Sequence, residues 1–128
     1  MISPPAGPAA EPTPDLRFLH GSRLRRRQDY QAVYEHGARL SGSLMTVFFL
    51  PNVLGRPRLG IAATRKIGSA VIRNRAKRRV RDLFRREQIR EAVDIVIIPR
   101  RELAEAPVAR LEAEFRGILR RRNRTARG

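Results

Sequence analysis

The sequence predicts an α+β fold, a two-layer sandwich with the order helix, two or three strands, helix, strand, helix. Three observations carry that expectation. β-branched and aromatic runs (Leu44–Leu50, Arg58–Ala63) alternate with stretches of helical period. Asp94–Pro99, DIVIIP, is almost continuously apolar, the mark of a strand covered on both faces. Within Ala70–Glu87, Ile72, Ala76, Val80, Leu83 and Phe84 fall in one arc of about 120° on a helical wheel, while the rest of the circumference is basic.

Taken in order, residues 1–15 contain five of the nine prolines and no apolar period, so they are expected to form a flexible tail. A single domain is expected over 16–122, with a basic tail at 123–128. Tyr30, Val33 and Tyr34, spaced i, i+3, i+4, predict a short helix within Asp29–Gly37, with Gly37 as its stop. Arg27 stands where an N-capping side chain is expected, which leaves that helix start weak. A strand around Arg39–Ser41 precedes Leu44–Leu50, which ends at Pro51-Asn52. A turn at Gly55 and Pro57 leads into Arg58–Ala63. Ile67-Gly68-Ser69 reads as a loop, with Ser69 capping the helix Ala70–Glu87. Val108, Leu111, Phe115, Ile118 and Leu119 space a last helix that runs into Arg120–Arg122, where cations suit its negative end.

Charge narrows the function. The chain has 128 residues, 28 Lys and Arg against 12 Asp and Glu, and a formal net charge of +16. Only Lys66 and Lys77 among the basic residues are lysine. Arginine's fixed charge and planar fork suit phosphate, and such an excess opposes compaction unless a polyanion neutralises it. With no cysteine, disulfide scaffolds, thiol nucleophiles and zinc ribbons are excluded. Apolar runs such as Val47–Leu50 and Ile95–Ile98 are too short to cross a bilayer, and no secretory signal is visible, so an intracellular protein without a membrane partner is expected.

Catalytic chemistry finds little support. The acids are scattered singly, with no pair spaced for a divalent metal. His20 lies in the loose N-terminal region and His36 at a helix end, poor places for a general base. Ser41, Ser43 and Ser69 have no nucleophile-elbow context, and there is no phosphate-binding glycine loop. The basic helix is more telling. From Arg73 to Arg86 it carries eight cations and one acid, Asp82. Like charges at i,i+4, such as Arg73/Lys77 and Lys77/Arg81, repel, and a phosphate lattice would turn that repulsion into attraction. This favours nucleic acid without choosing DNA or RNA. Tyr30, Tyr34 and Phe48 fit core packing and base stacking equally well. Phe49, Phe84 and Phe115 are better placed in the core.

The stretch Thr64–Arg81 resembles the signature of the bacterial ribonuclease P protein family. Its centre is Arg-Asn-Arg-x-Lys-Arg-x-x-Arg, here Arg73 to Arg81, preceded by Lys66-Ile67-Gly68 and by the strand Arg58-Leu59-Gly60. The likeness runs from about Leu24 to Arg122 and includes Asp29–Gly37, the Ile95–Ile98 strand and the last helix. The resemblance implies that a large RNA is the catalyst, using magnesium to cut the 5′ leader from precursor tRNA. The protein would hold no metal, contribute no catalytic residue, bind one RNA subunit 1:1 and work in the cytoplasm. It further implies that Tyr30, Tyr34, Thr46 and Phe48 form a leader platform, with Arg73 and Asn74 at its edge. Arg65, Lys66, Arg75, Lys77, Arg78 and Arg81 would face the catalytic RNA. The implied fold has a left-handed β-α-β crossover and a ribosomal-protein-like topology, where general handedness would favour the right-handed form. A structural RNA-binding protein of the ribosome, without processing activity, remains the alternative that charge and size alone allow.

Overall fold

The structure, a computed structural model, describes residues 23–127, with side chains through 124. The segment 1–15 and His20 lie outside the described residues. In chain order the elements are α1 (Arg27–His36), β1 (Ala38–Ser41), β2 (Met45–Pro51), β3 (Arg58–Ile61), α2 (Ala70–Glu87), β4 (Val93–Pro99) and α3 (Val108–Arg127). Short 3₁₀ turns at Arg65–Ile67 and Arg101–Ala104 precede α2 and α3. The strands form one sheet in the order β1-β2-β4-β3. β2 pairs antiparallel with β1 and β4, whereas β3 is parallel to β4, to which it is connected through α2.

Local chemistry explains most boundaries. Ser69 Oγ accepts from the Ile72 amide at 3.4 Å and starts α2 at the expected residue. α2 ends at Gln88, whose φ of 50° places a non-glycine residue in the left-handed region. Gly68 has φ +140°, which an L side chain rarely adopts, and this turns the chain from the 3₁₀ segment into the cap. α1 begins two residues earlier than Asp29, so the cap position falls on Arg26, not Arg27. Arg26 also makes no side-chain cap bond. Gly37 ends α1 without a left-handed turn (φ −86°). There a Cβ would sit 2.6 Å from the Val33 carbonyl oxygen and 2.7 Å from that of Phe49, so close backbone approach selects glycine.

The main sandwich packs α2 and α3 on one face of the sheet. Met45, Val47, Phe49, Leu59, Ile95 and Ile97 alternate toward Ala76, Val80, Leu83 and Phe84 of α2 and Leu111, Phe115 and Ile118 of α3. β4 is buried along nearly its whole length, as its apolar run implied. Among the described residues, α1 is the helix on the opposite face, where Val33 and Val96 join Leu24 in a second, smaller cluster. Val33, Tyr30 and Tyr34 therefore lie over the sheet on the side away from α2. α3 continues past Arg122, whose guanidinium lies 4.9 Å from the Phe49 ring centroid and pairs with Glu91 at 2.8 Å.

Glu114 of α3 holds the β1–β2 hairpin. Its carboxylate accepts from the amides of Ser43 (3.0 Å), Leu44 (2.8 Å) and Met45 (3.1 Å) and from the Ser43 hydroxyl (2.9 Å). Glu114→Ala strands these donors and is expected to cost about 2 kcal/mol in urea unfolding. A loss under about 0.5 kcal/mol would show that water replaces the carboxylate.

Candidate nucleic-acid interface

Above the sheet, three side chains of α1 align with one cross-strand row. Phe48, Val96 and Gly60 are register partners across β2, β4 and β3. Over this row the helix period places Tyr34, Val33 and Tyr30. Tyr34 meets Phe48 edge-on, with ring centroids 5.1 Å apart at 72°, and Tyr30 at 6.5 Å and 48°. Tyr34 is 39% exposed, whereas Val33 is fully buried, so the same short helix contributes both a core residue and an open ring. Thr46 shares Phe48's face but is buried, and its hydroxyl lies 3.3 Å from that of Ser41.

Burial raises the Tyr30 pKa, with a backbone hydrogen bond from Ile61 pulling the other way. For Tyr34, burial and then Tyr30's proximity act in the same upward direction. Both phenols stay neutral near pH 7, so neither ring opposes an approaching phosphate.

Around the β3 edge of the sheet, Tyr30 opens into a cavity of about 310 Å³ lined by Arg23, Arg25, Leu59, Ile61, Lys77 and Arg81, with Leu24. Leu24 donates its amide to the Leu59 carbonyl at 2.9 Å, so the segment before α1 lies along β3 and brings its arginines to the site. Arg81 has a lowered pKa, first through burial and then through the neighbouring charges of Arg23 and Arg85, with Asp82 pulling the other way.

The motif cations divide by geometry. Arg75 pairs with Glu105 at 2.6 Å, Arg79 donates to the Leu103 and Ala104 carbonyls at 3.0 and 2.9 Å, and Arg86 pairs with Glu112 at 3.1 Å. This flank of α2 fastens the chain that follows β4. Arg73 donates to the Gly68 carbonyl at 2.9 Å and braces the loop before α2. Asn74 and Arg78 are exposed, as are Arg65 and Lys66 on their 3₁₀ turn. Among the described residues, the side chains of Arg65, Lys66, Lys77 and Arg78 make no hydrogen bond or ion pair. The structure thus joins Tyr30 to Lys77 and Arg81, which the sequence resemblance had placed in a different set. Arg23 and Arg25, outside the residues assigned from the sequence, belong to a basic run with Arg26 and Arg27, and the signal that marks them is that run's position just before an aromatic helix.

Among the described residues no group of three or more His, Asp or Glu is placed to hold a metal. Several described carboxylates instead pair with arginines or accept from backbone amides, among them Glu105, Glu112 and Glu114. No described helix is long and apolar enough to cross a membrane.

Fold and surface together define a basic α+β nucleic-acid-binding protein. A family model described as Ribonuclease P matches residues 18–123. The ribonuclease P protein component of Thermotoga maritima is 42% identical over 90 residues, covering 69% of this chain and 77% of that protein. That of Desulfovibrio desulfuricans is 41% identical over 105 residues, covering 77% and 81%. The solved RNase P protein of Thermotoga maritima superposes with a TM-score of 0.70 at 35% identity, covering 77% of this chain and 96% of that one. The Staphylococcus aureus RNase P protein gives 0.70 at 27% identity, with 77% and 93% coverage. The chain belongs to the ribonuclease P protein family. As such it is a subunit of the ribonucleoprotein endoribonuclease that processes tRNA 5′ ends, partnered with the ribonuclease P RNA and its tRNA substrate. Membership decides between processing and the ribosomal alternative, which charge and size had left open.

Proposed function

We propose that this subunit grips the single-stranded 5′ leader of precursor tRNA on its α1-covered sheet face while its exposed cations dock on the catalytic RNA. The observation that carries the reading is Tyr34, open to solvent and edge-on to Phe48, next to a cavity where Tyr30 meets Lys77 and Arg81. Rings supply stacking surfaces for unpaired bases, and flanking cations track the phosphates. Thr46 backs Phe48, with Arg73 and Asn74 at the start of α2 bordering the path. Lys77 and Arg81 serve the junction between leader and RNA subunit, whereas Arg65, Lys66 and Arg78 face the RNA outright. In this reading the protein subunit binds the RNA 1:1 in the cytoplasm, and magnesium bound by the RNA would supply the hydrolytic chemistry. This chain's residues orient the leader and neutralise phosphate.

Affinity of the reconstituted enzyme for precursors with progressively longer leaders tests this reading. Affinity should climb with leader length only when the protein is present, then level off once the rings and cavity are spanned. A length dependence identical with RNA alone would refute it. A smaller test separates the two flanks of α2. Arg75, half-exposed and already paired with Glu105, should on mutation to alanine change the salt slope of RNA binding by well under 1. Arg78→Ala should lower it by about 1. Equal slopes for the two variants would place Arg75 on RNA as well.

A further inference from the structure

β3 contains a buried charge that leader binding does not itself require. Arg58 is 7% exposed, and its Nε and Nη2 donate to the two carboxylate oxygens of Asp94 at 2.9 and 2.8 Å. Asn52 Nδ2 donates to the same carboxylate at 2.8 Å, so the Arg58–Asp94 pair is satisfied within the sheet and its loop. The remaining nitrogen, Nη1, lies 3.7 Å from Asp29 Oδ2, in the first turn of α1. Burial lowers the Arg58 pKa, but the bond to Asp94 and the charges of Asp94 and Asp29 more than offset it, so the guanidinium is firmly cationic.

Two residues along β3, on the same face, Gly60 lies beneath Tyr30. A Cβ at Gly60 would stand 2.7 Å from Tyr30 Cε1 and 2.8 Å from its phenolic oxygen, closer than real Cβ atoms come. Consecutive residues of α1, Asp29 and Tyr30, thus meet alternate residues of β3, Arg58 and Gly60. α1 has no side-chain cap, and Val33 is its only fully buried residue, so little else fixes its height over the sheet.

We propose that Arg58 and Gly60 are positioning residues for the aromatic platform: Arg58 clasps α1 through Asp29, and Gly60 seats the Tyr30 ring, together setting where Tyr34 stands over Phe48. The inference rests on the platform reading of Tyr34 and deepens it. It also gives the Arg-x-Gly strand and the Asp-Tyr helix a shared purpose.

The test uses holoenzyme reconstituted with the RNA subunit and four variants: Asp29→Asn, Gly60→Ala, Tyr34→Ala and the double variant Asp29→Asn/Tyr34→Ala. Asp29→Asn is nearly isosteric and leaves the buried Arg58–Asp94 pair intact, so it keeps the fold and the test holds even if Gly60→Ala fails to fold. Asp29→Asn and Gly60→Ala should each weaken precursor tRNA binding about fivefold, with mature tRNA affinity and, for Asp29→Asn, the thermal midpoint unchanged. In the Tyr34→Ala background, the Asp29→Asn effect should vanish. If Tyr34→Ala shows a precursor-specific loss and Asp29→Asn adds to it in full, this inference alone is overturned. If Tyr34→Ala shows no precursor-specific loss, the platform reading falls and this inference with it. Equal losses for precursor and mature tRNA on Asp29→Asn also overturn it, since a purely structural role would give that pattern.

Discussion

Replacing Lys77 and Arg78 together with alanine is expected to weaken binding to the ribonuclease P RNA about fiftyfold near 0.1 M salt and to flatten its log–log salt dependence by about 2. The magnitude follows from counterion release. Each phosphate neutralised frees somewhat under one condensed cation, and at about 0.1 M salt each such release contributes a little under a decade of affinity. The two residues are chosen because neither donates a hydrogen bond or ion pair within the described residues, so their charge is available to a partner. Both lie off the apolar arc of α2, which keeps the core whole. Titrations of labelled RNA over a range of salt concentrations measure both quantities. An affinity loss with an unchanged slope would mean that these side chains act through packing or shape instead of phosphate neutralisation.

Tyr34→Ala is expected to weaken precursor tRNA binding about tenfold while leaving mature tRNA binding nearly unchanged, because a stacked base contributes roughly 1–3 kcal/mol and only the precursor carries a leader. Tyr34 suits this test because its ring is the open member of the aromatic group. Removing it takes an edge contact from Phe48 but leaves Val33 and the buried cluster beneath α1 in place. The comparison is made by equilibrium binding of both tRNAs to the reconstituted enzyme. Equal losses for the two would assign Tyr34 to the general interface or to support of the fold.

Elements governed by local physics were legible in the chain. α2 runs from its Ser69 cap to Glu87 because capping, the apolar arc and helix propensity agree within one segment. β4 was readable because a run buried on both faces needs no alternation. α1 was readable as a helix but not in its placement. Its three spaced apolar residues say that a face is covered, and only the assembled sheet shows that this face is the one opposite α2. The reading of the basic helix was distorted for a related reason. Counting local partners set one acid, Asp82, against eight cations on α2, yet Arg75, Arg79 and Arg86 find acceptors 30, 24 and 26 residues later in the chain. Long-range ion pairs leave no local trace. The cavity was hidden similarly, because Arg23, Tyr30 and Lys77 converge only when β3 becomes the sheet edge. Gly60 is instructive too: its absent side chain has meaning only once Tyr30 lies above it.

The most direct measurement is cleavage of a 5′-labelled precursor tRNA by the cognate ribonuclease P RNA at low magnesium, with the protein, without it, and with Tyr34→Ala. A subunit that holds the leader and docks on the catalytic RNA should promote cleavage at the mature 5′ end, do nothing alone, and lose most of its stimulation in the variant at subsaturating substrate. Cleavage by the protein alone after repurification, or no stimulation of the cognate RNA despite tight binding to it, would contradict that role.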